Sequence, residues 1–201
     1  MSRHAWLLWI GLWAGCTSAP PPPPPTEAPF TVEDYRSRAP VEIAVLPPSI
    51  APNFGAADGD LLREHIYSRL IEKGYTGLDP EYVDRAVESV VERGRLTSES
   101  TPPRVSALRS LLDSEAFLLL EVINVKVLPG GEPSIYRIEV RATLVDTLGS
   151  TLFEHRVTKT FEVEYGDDRE LSRDQLDDLM RRYAAQLVNA LPARSSSKIG
   201  D

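Results

Sequence analysis

The spacing of apolar residues changes near residue 116, and this change constrains the fold more than any other feature of the chain. Residues 60–73 and 80–92 carry apolar side chains three and four positions apart, as amphipathic helices do. Residues 136–144 and 153–165 instead place apolar side chains at every second position, as strands with one buried face do. Because both patterns occur in one chain, the sequence predicts an α/β (α+β) domain in which helices pack on a sheet.

The order of these patterns predicts a single domain over residues 40–192 with the element order β-α-β-α-α-β-β-β-α. The strand at residues 116–128 begins apolar on both faces, so we expect it near the centre of the sheet. Glycine-containing turns at residues 129–133 and 146–149 join the last three strands as an antiparallel meander. We therefore predict one mixed sheet of about five strands, with helices mainly on one face.

Short signals mark the helix ends. Gly74 follows the first helix, as a C-terminal glycine does. Asp79 precedes a proline, and Thr101 does the same, so each is a predicted N-cap with proline at the first helical position. Ser172 and Gln175 have the spacing of a capping box at the start of the last helix.

The N-terminus predicts an export signal over residues 1–15. A basic start precedes an apolar run at residues 5–14 that is too short to span a bilayer. Small residues follow, and Cys16 is the only cysteine of the chain. The segment at residues 13–16 resembles a bacterial lipobox, which implies cleavage between Gly15 and Cys16 and acylation of Cys16. The alternative is an ordinary secretory signal in which Cys16 happens to fall near the cut.

A proline-rich tether is predicted over residues 16–39. Six consecutive prolines at residues 20–25 favour polyproline II, a semi-rigid spacer that holds a domain away from a membrane. The alternative is a ligand for a proline-binding module. Residues 193–201 are predicted to form a disordered tail.

No catalytic motif, metal-ligand spacing or phosphate-binding loop is visible, so we expect no enzyme activity, cofactor, metal or small-molecule substrate. A formal net charge of −8 argues against nucleic acid as a partner. His155 and Lys159 share the apolar face of their strand. Because a buried lysine is costly, we expect a β-bulge or the sheet edge to expose Lys159.

Three segments carry a resemblance to a known group of proteins. Residues 41–48 read VEIAVLPP, residues 72–75 read EKGY, and residues 142–149 read ATLVDTLG. They resemble a family of bacterial outer-membrane lipoproteins of unknown function that includes a neisserial surface antigen. More broadly, the domain resembles the superfamily of CsgG, LpoB, PelC and the N-terminal domain of TolB.

The resemblance implies a lipoprotein anchored in the outer membrane by acylated Cys16, with its domain facing the periplasm. It implies a non-enzymatic adaptor or accessory factor of an envelope secretion, transport or cell-wall assembly complex. The alternatives are a ring-forming structural lipoprotein and an unrecognised envelope hydrolase. CsgG, the curli-secretion lipoprotein, forms a channel with long membrane-spanning hairpins. Such hairpins are not visible in this sequence, so a pore is not expected.

A row of charged residues predicts where a partner binds. Arg137, Glu139 and Arg141 alternate with the apolar row of their strand, and Arg156 occupies the same face of the next strand. These four residues are the candidate interaction face for an envelope protein or a second copy, with opposite charges pairing across strands. The alternative is an ordinary solvated sheet face.

Overall fold

The structure is a computed structural model that describes residues 27–51, 56–92, 105–128, 134–163 and 172–194. Predictions for the signal, for Gly15 and Cys16, and for the six-proline run therefore concern residues outside the described ranges. The same holds for most of the predicted tail and for the predicted cap at Thr101.

Seven strands and five helices form one mixed α/β domain, as the sequence predicts. The strands are β1 (Phe30–Thr31), β2 (Glu42–Val45), β3 (Ser49–Ile50), β4 (Thr76–Gly77), β5 (Ala116–Leu128), β6 (Ser134–Asp146) and β7 (Thr151–Val163). The helices are α1 (Tyr35–Arg38), α2 (Ala56–Glu72), α3 (Pro80–Glu92), α4 (Val105–Leu108) and α5 (Arg173–Ala190). The sheet has seven strands, whereas about five are predicted. The two additional strands, β1 and β3, have two residues each and are too short to show an alternating pattern in the sequence.

The sheet has the order β1-β7-β6-β5-β2-β4, with β3 extending the parallel side of β5. β5 is therefore central, as its doubly apolar first half predicts. β2 and β3 pair parallel to β5, while β5, β6 and β7 form the predicted antiparallel meander. The turn between β6 and β7 contains Gly149 at a φ of 86°, a left-handed conformation that glycine adopts without strain.

Helices cover both faces of the sheet, but unequally. The two longest helices, α2 and α5, pack on one face around buried residues such as Ile66, Leu118 and Tyr183. The shorter α3 and α4 cover only the β2 end of the opposite face, around Phe117 and Leu108. The remainder of that face, over β6 and β7, has no described helix on it.

Two predicted helix starts are confirmed in atomic detail. The carboxylate of Asp79 accepts hydrogen bonds from the backbone N–H of Glu81 and of Tyr82, at 2.8 and 3.1 Å. At the start of α5, Ser172 and Gln175 exchange the two hydrogen bonds of a capping box. Each cap satisfies N–H groups that the first turn of a helix leaves unpaired.

The folded domain begins earlier than residue 40. Phe30 and Thr31 pair antiparallel with Glu154 and Phe153 of β7, and α1 follows directly. Tyr35 of α1 is 3% exposed and belongs to the main core. The last part of the predicted tether therefore belongs to the fold, because one buried tyrosine and two ladder positions anchor it.

Candidate interaction face

The alternation along β6 places Arg137, Glu139 and Arg141 on the face opposite α2 and α5. Their neighbours Ile138, Val140 and Ala142 are buried in the core. Across the strands, Arg156 of β7 lies directly opposite Arg141 of β6. The four predicted residues thus share one surface, which we call the strand face. Its further described members are Glu121, Thr143, Glu154, Thr158 and Thr160.

Two ion pairs neutralise the strand face. Glu121 of β5 lies directly opposite Arg141 and accepts hydrogen bonds from its Nε, at 3.0 Å, and from its Nη2. Glu139 pairs with Arg156, with 3.1 Å between its Oε1 and the arginine Nε. Arg141 and Arg156 oppose each other with like charge, so each needs its own carboxylate. The predicted cross-strand pairing of opposite charges is confirmed.

The electrostatics keep this surface charged. The hydrogen bonds that Arg141 donates to Glu121 raise the pKa of the Arg141 guanidinium, and the charges of Glu154 and Glu139 add to the effect. The side chains of Arg141 and Arg156 are 33% and 37% exposed. A partner can therefore reach them, and exposed pairs of this kind contribute only about 0.2–1 kcal/mol to stability.

Arg137 differs from the other two arginines. Its Nε is buried and has no hydrogen-bond partner among the described residues. A buried donor without a partner costs free energy, so among the described residues Arg137 is the least well satisfied of the three arginines on the strand face.

Glu121 is the member of the strand face that the sequence argument missed. The apolar start of β5 drew attention to the core and away from its polar residues. The sequence contains the information needed to find Glu121. Antiparallel pairing across the turn between β5 and β6 sets residue 121 opposite residue 141. The register shift between Val122 and Asn124 lies beyond this pair and leaves it intact.

Lys159 lies in β7 at the edge of the sheet, which is one of the two positions predicted to expose a lysine on the apolar face of its strand. β1 pairs β7 only at Phe153 and Glu154, and the register shift between β6 and β7 falls near residue 152. The Lys159 ammonium lies 5.9 Å from the ring centroid of Tyr183 in α5, within range of a cation–π interaction.

The histidines of the domain serve packing. His65 of α2 lies 2.9 Å from a carboxylate oxygen of Asp177 in α5, which ties the two helices together. Among the described residues, no hydroxyl or thiol is hydrogen-bonded to this imidazole, so the pair lacks a nucleophile. His155 is 7% exposed, and its Nδ1 is buried without a described partner.

Three features of the described ranges bear on function. An apolar cavity between α2, α5 and the sheet has a volume of about 10 Å³, too small for a ligand. In these ranges no group of three metal-ligating side chains comes together. No helix there combines the length and apolar composition of a membrane span.

No protein-family model matches the sequence, and no curated protein is recognisably similar to it. Solved structures do share its fold. Lipoprotein GNA1162 from Neisseria meningitidis superposes with a TM-score of 0.50 at 20% identity, over 75% of this chain and 99% of that one. The hypothetical protein CT253 from Chlamydia trachomatis gives 0.52 at 13% identity, over 75% and 95%.

The PelC dodecamer from Paraburkholderia phytofirmans gives a TM-score of 0.47 at 14% identity, over 84% of this chain and 94% of that one. At such identities the similarity concerns the fold. The resemblance to bacterial lipoproteins with a neisserial member, predicted from the sequence, is confirmed at that level.

Proposed function

We propose that this protein is a non-enzymatic accessory lipoprotein of the bacterial envelope, which docks a protein partner through the strand face. In this proposal acylated Cys16 anchors it in the outer membrane, and its domain faces the periplasm. The partner belongs to a secretion, transport or cell-wall assembly complex. The fold shared with a neisserial lipoprotein supports the envelope assignment.

One observation carries the docking role: a charged, half-exposed sheet surface that no described helix covers. Its two ion pairs, Glu121–Arg141 and Glu139–Arg156, leave Arg137 as the arginine of this face that has no ion pair with a described residue. Mixed charge of this kind sets the register and the association rate of a complex more than its affinity. Binding should therefore weaken as salt rises.

The test is photo-crosslinking in intact cells from Thr143, in the middle of the strand face. We expect one discrete heteropartner to crosslink to the otherwise unaltered protein. The double variant Arg137→Glu, Arg141→Glu should lose most of this product, because it replaces two of the three arginines of the strand face and sets a glutamate opposite Glu121. Thermal melting should show a small change, since half-exposed ion pairs contribute little stability.

The matched control is Arg36→Glu, Arg109→Glu, which makes the same change of net charge at exposed positions away from the strand face. The control should keep the crosslink. If both double variants fold and crosslink equally well, the strand face is not the docking surface. A ladder of self-crosslinks instead would favour the ring-forming alternative.

A further inference from the structure

The outer edge of β7 offers backbone groups, whereas the strand face is formed by side chains, although residues 156, 158 and 160 contribute to both. β1 covers this edge only at Phe153 and Glu154. Beyond them, the described part of the chain places no strand beside residues 155–160. The Val32 N–H donates to the Leu152 carbonyl at 3.1 Å. Because backbone groups alternate in direction along a strand, the N–H and C=O of even-numbered residues point to this edge.

Arg156, Thr158 and Thr160 therefore direct backbone donors and acceptors outward, with no described partner strand. Such a row is a template for one more strand. A peptide that adds to it gains main-chain hydrogen bonds, and the side chains along the edge select its sequence.

Lys159 lies on the α5 side of this edge and has no acidic partner among the described residues. No carboxylate of the described residues forms an ion pair with Lys159, whose ammonium instead lies near the Tyr183 ring. Partial burial, and to a lesser extent the neighbouring guanidinium of Arg182, disfavour its charge and lower its pKa. A carboxylate placed opposite Lys159 would relieve this imbalance.

A second copy of the chain fits this edge poorly. In a symmetric antiparallel pair, residues that oppose each other share a face of the sheet. Within residues 155–160, the α5 face carries His155, Val157 and Lys159. Self-pairing over this stretch would set Lys159 against one of these three, none of them acidic, so no carboxylate would face the ammonium group.

We propose that the β7 edge over residues 156–160 binds, by strand addition, an extended segment of an envelope protein that carries an acidic residue opposite Lys159. This inference goes beyond the docking role of the strand face and does not depend on it.

The test measures peptide binding to the full chain in detergent by fluorescence anisotropy. The probes are two capped nine-residue peptides of alternating threonine and valine, one with glutamate and one with lysine at the central position. The glutamate peptide should bind about fivefold more tightly or better, because an opposite-charge pair replaces a like-charge pair across strands. Lys159→Glu should reverse this preference, whereas the control Arg109→Glu should leave it unchanged.

A second arm tests the backbone. Thr158→Pro removes an outward N–H and leaves the ladder to β6 intact, since proline is tolerated on an edge strand when its missing donor faces outward. It should abolish binding of the glutamate peptide without lowering the melting temperature by more than a few degrees. A glutamate peptide methylated at alternate backbone nitrogens should fail to bind the unaltered protein. This measurement tests the backbone hydrogen bonds even if Thr158→Pro does not fold.

Three results would each overturn the proposal. The first is equal binding of both peptides to the unaltered protein. The second is a dimer in sedimentation that Thr158→Pro dissolves, which would assign the edge to a second copy. The third is peptide binding that arises only after Asp167→Asn and Asp168→Asn, which would show that the acidic segment after β7 already occupies the edge.

Discussion

Among the described residues, the side chains of Arg63 and His155 are charged or polar and buried, and their hydrogen bonding differs. Arg63 of α2 is 6% exposed and donates from Nε and Nη2 to the Val45 carbonyl, at 3.0 and 2.8 Å. Its Nη1 lies 2.6 Å from Asp84, so the charge is paired and the end of β2 is fixed to α2 and α3. His155 is buried to the same degree, but its Nδ1 has no described partner. Arg63 therefore stabilises the fold, while His155 makes it sensitive to acid.

The pH dependence of unfolding should reveal His155. Burial lowers the pKa of His155 from its ordinary value of 6.5, so protons bind the unfolded chain first as the pH falls. The free energy of unfolding should be unaffected by this residue well above pH 6.5. Below pH 6.5 the free energy of unfolding should fall. The total loss should be about 1.4 kcal/mol for each pH unit between the pKa values of His155 in the unfolded and folded states.

Urea titrations between pH 7.5 and 5.5 check this prediction. His155→Met should flatten the dependence on pH, because methionine does not titrate. His65→Gln, which removes a half-buried imidazole at the α2–α5 contact, is the matched control. If His155→Met leaves the slope as steep as in the unaltered protein, the buried imidazole is not the acid-sensitive group.

At the scale of elements, two linked hydroxyl groups join α1 to the α2–β4 connection and to the end of α5. Tyr75 donates to the Pro192 carbonyl at 2.5 Å, which uses its one hydroxyl hydrogen. The Tyr35 hydroxyl, 2.7 Å away, must therefore donate to Tyr75. Both rings are buried, and burial raises the pKa of both hydroxyl groups.

The two tyrosines should differ in their contribution to stability. Tyr35→Phe removes one buried hydrogen bond and should cost about 0.5–1.5 kcal/mol. Tyr75→Phe leaves both the Tyr35 hydroxyl and the Pro192 carbonyl unpaired, so its cost should be larger by about 1–3 kcal/mol. Urea unfolding of both single variants and the double variant measures the coupling. A larger loss for Tyr35→Phe than for Tyr75→Phe would contradict this order of donors.

The elements that the sequence predicts well are those long enough to show a period. β5 has the predicted bounds, Ala116–Leu128, and α5 begins at the predicted capping box. β1, β3 and α1 were not predicted, because two to four residues cannot display a period of 2 or 3.6. They are held instead by pairing and by Tyr35, which depend on the tertiary structure.

The candidate site was predictable in part for the same reason. Alternation along β6 and β7 placed Arg137, Glu139, Arg141 and Arg156 on one face. The position of Glu121 among them depends on the register of β5 against β6, which the turn sets and alternation alone does not reveal. The free edge of β7 depends on where β1 stops, and no sequence pattern marks that point.

At the scale of the whole molecule, the chain enters the fold beside the edge proposed for strand addition. Phe30 lies opposite Glu154, and the proposed binding edge begins two residues later on β7. Fourteen residue steps separate Cys16 from Phe30. As polyproline II, at about 3.1 Å per residue, they would reach roughly 40 Å. In the proposed lipoprotein, a tether of that reach would join the fold beside this edge and leave room between the domain and the membrane for a partner.

The anchor itself is the last prediction. Cys16→Ala removes the predicted acylation site, so the variant should leave the membrane fraction or accumulate as an uncleaved precursor. A single acyl chain binds a bilayer only marginally, whereas two or more hold a protein firmly, so stable membrane association requires the fully modified cysteine. Fractionation of washed membranes, with intact-mass measurement of the purified protein, checks this. The control Thr17→Asp changes the neighbouring residue and keeps the predicted acylation site, so it should keep the lipid mass and the membrane association. A Cys16→Ala variant that stays in washed membranes at the mass of the mature protein would show that another part of the chain anchors it.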